Sequence, residues 1–157
     1  MRVFVDSNVP MYVAGRDHPL RPPARRFMAR VRAGKVEAVT STEVLQEILY
    51  RYVGLGRPDL AHEVYELFVE LCTAVLPVTL ADTDQARQLL RTVEGLSVRD
   101  AIHAGVALNH DLPRIASFDH GFDHIDGIER LRLEGDGLDA TLEGRPSRED
   151  GDASDDL

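Results

Sequence analysis

Four acidic side chains stand at positions where a folded chain can do chemistry. Asp6 directly follows the β-branched and aromatic run RVFV, and Asp119 directly follows RIASF. Ligands of open α/β sheets bind beyond the carboxyl ends of the strands, so two strands ending there would deliver both acids to one edge. Asp100 opens the segment SVRDAIHAGVAL, and Glu43 and Glu47 lie in TSTEVLQEILYR. Both segments read as helices whose starts face that same edge. Each acid also has a plain structural reading. Asp6 can cap the helix that follows it. S-V-R-D at Ser97–Asp100 and T-S-T-E at Thr40–Glu43 fit capping boxes. Asp119 can simply start a turn.

Helix geometry separates the two glutamates. At about 100° per residue, Val44, Leu45, Ile48, Leu49 and Tyr52 form one apolar stripe. Glu43 falls nearly opposite the centre of that stripe and points to solvent. Glu47 falls at the stripe's border, where it can reach a cleft. Asp100 is the most informative of the acids. The helix it opens is apolar or small nearly all round (Ala101, Ile102, Ala104, Gly105, Val106, Ala107, Leu108), as a buried helix is. A carboxylate at the mouth of such a helix needs a partner, either a metal ion or the helix's own N-terminal NH groups. Capping explains each acid singly, but not the convergence of several on one edge. Converging carboxylates repel in a partly buried site, and a divalent cation removes that repulsion. All-oxygen donors select Mg²⁺ or Mn²⁺ over zinc. Such ions can activate a water and stabilise a leaving oxygen in phosphodiester cleavage.

The elements that would position these acids alternate in kind. Strands are expected at Arg2–Val5, Val36–Val39, Val75–Val78, Arg114–Phe118 and Leu131–Leu133. Helices are expected at Ser7–Ala14, Leu20–Ala33, Ser41–Val53, Pro58–Cys72, Leu80–Val93 and Ser97–His110. Pro77 marks the third strand as short or at an edge. The alternation implies an α/β protein with a parallel sheet and helices on both faces.

The 157 residues amount to one domain with a tail. Hydrophobic residues are 43% and charged residues 29%, ordinary for a globular protein, and no apolar run approaches a membrane span. The opening MRVFVDSNVP has no cleavable apolar stretch, so a secretory signal is not expected. The single cysteine, Cys72, excludes a disulfide framework and a cysteine-built zinc site, and the expected compartment is the cytoplasm. The net charge of −9 is uneven: residues 134–157 carry −7 and residues 1–133 only −2. The body, 1–133, is therefore no poorer a partner for nucleic acid than a neutral protein. The acidic stretch 134–157, with no large apolar residue from Gly144 to Asp156, reads as a tail that is disordered at its end.

In order along the chain, VDSNV at 5–9, STEVLQEIL at 41–49, SVRDAIHAGVA at 97–107 and SFDHGFD at 117–123 resemble the PIN-domain ribonucleases. In particular they resemble the toxins of VapBC-type toxin–antitoxin systems. The resemblance covers residues 1–133. It implies a three-layer α/β/α sandwich around a parallel sheet of four or five strands, and a Mg²⁺-dependent endoribonuclease. Carried over residue by residue, the catalytic acids fall on Asp6, Glu47, Asp100 and Asp119, with Asp6, Asp100 and Asp119 as metal ligands. Ser7, Asn8 and Ser117 match the small polar positions that orient carboxylates or a water. Where many relatives have a further Asp, this chain has Gly121, and Asp123 is the substitute to consider as an outer ligand. The resemblance also implies an RNA substrate, a cognate antitoxin protein and a homodimer.

Other residues invite competing readings. His120 and His124 flank Asp123 and could bind a transition metal, but Gly121 makes the segment a loop. His103 reads as a packed or surface residue of its helix. Arg16–Lys35 holds seven basic residues against one acid, which suits phosphate contacts or simply a solvated helix face. Asn8 stands where a haloacid-dehalogenase phosphatase needs its second Asp, and no Gly-rich turn follows the first strand for a dinucleotide. The contrasting class is a non-catalytic interaction module whose acids are caps and whose helical hairpin around 41–72 binds a partner.

Overall fold

The computed structural model describes residues 1–135 together with Leu138 and Asp139. Five strands form one parallel sheet: β1 Arg2–Val5, β2 Glu37–Ser41, β3 Ala74–Leu76, β4 Arg114–Ala116 and β5 Glu129–Leu131, in the order β3-β2-β1-β4-β5. The helices are α1 Asn8–Ala14, α2 Arg21–Arg32, α3 Thr42–Gly54, α4 Pro58–Leu71, α5 Leu80–Thr92 and α6 Val98–Asn109, with a short 3-10 helix at His120–His124. From β1 the chain steps outward to β2 and β3, then returns across the sheet to β4. Right-handed crossovers therefore put α1 to α4 on one face and α5 with α6 on the other, an α/β/α sandwich. The order reverses between β1 and β4, and that switch point opens a crevice at the strands' carboxyl ends.

The core is the sheet and what covers it. Val3, Phe4 and Val5 of β1 and Ile115 and Ala116 of β4 have no exposed surface. As a central run buried on both faces, RVFV has no need of polar alternation. Helix α6 is buried nearly all round, as its small residues foretold: Ala101, Ala104, Gly105, Val106 and Ala107 are all buried. Gly105 lets α6 close on α5, since a Cβ there would stand 2.6 Å from the Asp82 carbonyl oxygen. Asp82 itself closes a capping box with Thr79 and accepts from Asn109 Nδ2 at 2.8 Å. Gly105→Ala would ordinarily favour a helix, but here backbone meets backbone. It should cost about 1–3 kcal/mol, read as a lower melting temperature; an unchanged or higher melting temperature would contradict this packing.

Several sequence expectations shift. β3 ends before Pro77, whose missing NH cannot join a ladder, and it lies at the sheet's edge. β5 runs Glu129–Leu131 rather than Leu131–Leu133, although Leu133 is buried. α3 is capped by Ser41, whose hydroxyl accepts from the Val44 NH; Thr40 belongs to β2 and donates to the Val5 carbonyl at 3.1 Å, so the expected Thr40–Glu43 box does not form. Residues 120–124, read as a loop, form a 3-10 turn because the Asp119 carboxylate accepts from the Gly121 NH. Of the expected tail, 134–157, most lies outside the described residues. Leu138 is buried in the core, and Asp139 pairs with Arg30 of α2.

Candidate active site

β1 delivers Asp6 to the crevice, where its backbone NH still bonds Ala116 of β4 at 3.0 Å. Asp6 is 4% exposed. Its Oδ1 accepts from the Ser7 NH at 2.7 Å and its Oδ2 from the Ser117 hydroxyl at 2.7 Å. Ser117 Oγ in turn accepts from Asn8 Nδ2 at 3.1 Å and from the Asp119 NH at 3.0 Å. Ser7, Asn8 and Ser117 thus tie the ends of β1 and β4 together around one carboxylate. Asp6 does not cap α1, which has no side-chain cap bond.

Glu47 comes from α3 and is buried at the border of its apolar stripe. Its Oε2 accepts from the Ser7 hydroxyl, and its Oε1 lies 2.8 Å from His103 Nε2. Glu43 is half-buried. Leu49 is more exposed than its place in the stripe suggested.

Asp100 sits in the first turn of α6, 8% exposed. Its backbone NH bonds the Ser97 hydroxyl at 3.1 Å, so Ser97 caps the helix. The Asp100 carboxyl meets other acids: burial, then the charges of Asp6 and Asp119, push it up to about 7. Asp119 is exposed at the mouth of the cleft. Gly121 lies against both outer acids, and a Cβ there would approach Asp119 Oδ1 to 3.2 Å and Asp100 Oδ2 to 3.3 Å. The cleft therefore has an inner pair, Asp6 and Glu47, and an outer pair, Asp100 and Asp119.

The electrostatics are those of an under-neutralised acidic cluster. Burial raises Asp6, against the charge of His103 and the bond from Ser117. Burial also acts upward on Glu47, but the hydrogen bond and charge of His103 and the Ser7 bond outweigh it, and Glu47 falls. Among the described residues, the group of side chains placed to share a metal ion is Asp6, Glu47 and His103. His103, expected to be a packed or surface residue of its helix, is packed, and its ring also meets Glu47 and Asp6. The available signal was its spacing: at i+3 from Asp100 it lies on the same side of α6.

Asp123 is turned to a different partner. Arg130 Nε and Nη2 hold its two oxygens at 2.8 and 3.1 Å, while Nη1 donates to the Ser117 carbonyl at 3.3 Å. His120 Nδ1 lies 3.1 Å from the same carboxylate, and these contacts hold Asp123 below the usual carboxylate range despite burial. Asp123 braces the 3-10 turn against β5 and so steadies the Asp119 loop. Arg130→Ala should cost about 1–3 kcal/mol and lower any activity that depends on Asp119. Wild-type melting and wild-type metal affinity in that variant would refute the brace.

Comparison with known proteins gives the family. The PIN domain description matches residues 3–128. The chain belongs to the PIN-domain family. Ribonuclease VapC13 of Mycobacterium tuberculosis is 40% identical over 129 residues, covering 82% of this chain and 98% of that protein. Ribonuclease VapC23 of the same species is 42% identical over 118 residues, covering 75% and 93%. Among solved structures, Mycobacterium tuberculosis VapC20, described as a Sarcin-Ricin loop cleaving toxin, superposes with a TM-score of 0.62 at 22% identity over 75% of this chain and 90% of that one. VapBC2 from Rickettsia felis, bound to a DNA fragment from its promoter, gives 0.65 at 12% identity over 83% and 97%. At those identities the two structures speak for the PIN fold alone.

Proposed function

We propose that this PIN domain is a divalent-metal-dependent endoribonuclease and the toxin of a toxin–antitoxin pair, with Asp6, Glu47, Asp100 and Asp119 as its catalytic acids. The observation that carries the reading is the convergence of these four acids on the β1–β4 switch point, where burial and the charges of Asp6 and Asp119 push Asp100 up to about 7. Relatives over most of the chain are ribonucleases by name.

The residues fit a hard cation. The acids offer oxygen donors, burial and then their mutual repulsion raise Asp100, and His103 Nε2 is already engaged by Glu47. Asp6 and Asp100 would hold Mg²⁺ or Mn²⁺, with Asp119 completing the set directly or through water. A bound ion supplies charge neutralisation at the phosphate and lowers the cost of forming hydroxide. The chain's own groups do the rest. Ser117 and the Ser7 NH hold Asp6 in one orientation. Glu47, kept ionised, adds charge at the inner end and can orient a water. No nucleophilic side chain is needed, and burial pushes the Cys72 thiol up to about 12.

For partners, α2 exposes Arg25, Arg26 and Arg32, and Lys35 is exposed just after it, charge suited to an RNA backbone. An apolar groove of about 280 Å³ between α1, α2 and α4, lined by Val13, Met28, Val64, Leu67 and Phe68, suits an antitoxin segment. Tyr50 and Val53 of α3 and Val98 of α6 are exposed and suit a homodimer. No helix among the described residues is long and apolar enough to cross a membrane, and the reading places the protein in the cytoplasm.

A Mn²⁺ titration separates the nuclease from an interaction module whose acids are only caps. Binding that disappears in Asp6→Asn supports the nuclease; absence of binding by folded wild-type protein favours the module.

A further inference from the structure

We propose that His103 is a positioning residue: from inside the core it holds Glu47, and beside it Asp6, in the arrangement that receives the divalent ion. This rests on the metal-dependent reading above and assigns a role to a side chain that supplies none of the four acids.

The ring is fully buried. It packs against Phe4 with centroids 5.7 Å apart and planes tilted by 39°. Its two nitrogens have unlike surroundings. Nε2 lies 2.8 Å from Glu47 Oε1 and 3.6 Å from Asp6 Oδ1. Nδ1 is buried and has no hydrogen-bond partner among the described residues. That asymmetry fixes the proton. A neutral ring protonated on Nδ1 would set the Nε2 lone pair against the lone pairs of Glu47 and bury an NH with no acceptor. The hydrogen therefore sits on Nε2, and this holds whether the ring is neutral or charged. A nitrogen that donates to Glu47 offers no lone pair to a metal, so His103 acts through the carboxylate and not as a ligand.

The position also argues for function over packing. Leaving Nδ1 unsatisfied in the core is costly, and a leucine would fill similar space at no such cost. What a leucine lacks is the Nε2 donor. With it, Glu47 is gripped from both sides, by Ser7 from the end of β1 and by His103 from α6. The same helix supplies Asp100 one turn earlier, so a single rigid element sets an outer acid and the clamp on an inner one.

The test is a Mn²⁺ titration, followed by electron paramagnetic resonance, on wild-type protein, Asp6→Asn, His103→Leu and His103→Gln, each with its melting temperature. His103→Leu keeps the volume and removes the donor. His103→Gln keeps a donor near the position of Nε2. The expected result is a loss of roughly 10–100-fold in Mn²⁺ affinity for Leu, with Gln much nearer to wild type. Wild-type affinity in His103→Leu overturns the proposal, as does an equal loss in Leu and Gln when both are folded. If neither variant folds, the wild-type imidazole decides by nitrogen-15 NMR: a slowly exchanging proton on Nε2 supports the clamp, and a proton only on Nδ1 overturns it. Asp6→Asn reports separately on the metal reading. If it binds Mn²⁺ as wild type does, the metal site fails whatever His103 does.

Discussion

Asp6→Asn should lower RNA cleavage by on the order of 10³-fold while the protein stays folded. Asp6 is the carboxylate on which the crevice is organised, bonded from Ser7 at the end of β1 and from Ser117 beyond β4. Asn has nearly the same shape, so the change removes charge rather than volume. One amide group would then face a donor it cannot accept from, which misaligns the pair of serines. The lost charge weakens the hold on a cation where the transition state most needs it. The fold should not suffer in the metal-free state, because burial already penalises the ionised form of Asp6. The expected signature is therefore activity lost with melting temperature unchanged or higher. A variant that cleaves within a few-fold of wild type would remove Asp6 from the mechanism.

The second large effect is in stability against pH. Asp100 titrates at about 7 in the fold and near 3.8 in an unfolded chain. A raised carboxyl favours the protonated fold, so its contribution is complete below about pH 4 and is lost as pH rises through 7. Asp6 is raised as well, by burial, and acts in the same direction. His103 is also raised, by Glu47 and Asp6 against burial, and its contribution likewise fades as pH rises. Glu47 is lowered and acts the other way, losing stability only as pH falls below 4.5. The metal-free protein should thus be most stable in mild acid and lose a few kcal/mol by pH 8, or roughly 5–10 °C in melting temperature. Mg²⁺ or Mn²⁺ should restore much of this at pH 8 and little at pH 5. Asp100→Asn should melt higher than wild type at pH 8 without metal and gain little when metal is added. A pH-independent melting temperature, or equal metal stabilisation at pH 5 and pH 8, would contradict this charge balance.

Much of this site is legible from local patterns. Asp6 and Asp119 follow short apolar runs, and any parallel sheet sends such positions to its carboxyl edge. Asp100 opens a helix of small residues, which announces burial, and Glu47 sits at the border of a stripe whose angle can be computed. The elements follow from the same periodicities, with ends that move by a residue or two where a cap or Pro77 intervenes. What stays hidden depends on partners distant in sequence. His103 is 56 residues from Glu47, and nothing local to α6 tells which way its Nε2 points. The hold of Arg130, seven residues on, over Asp123 is equally invisible in the sequence. Thr40 and Ser41 are equally good caps by type, and only the end of β2 decides between them.

The central claim is that the four acids make one metal-dependent centre for RNA cleavage. Its most direct test is cleavage of total RNA by purified protein freed of antitoxin, with Mg²⁺ or Mn²⁺ and with EDTA. Discrete fragments that appear with metal and vanish with EDTA are the predicted result. Intact RNA after incubation with folded, metal-supplied protein, or the same fragments in EDTA, would contradict it.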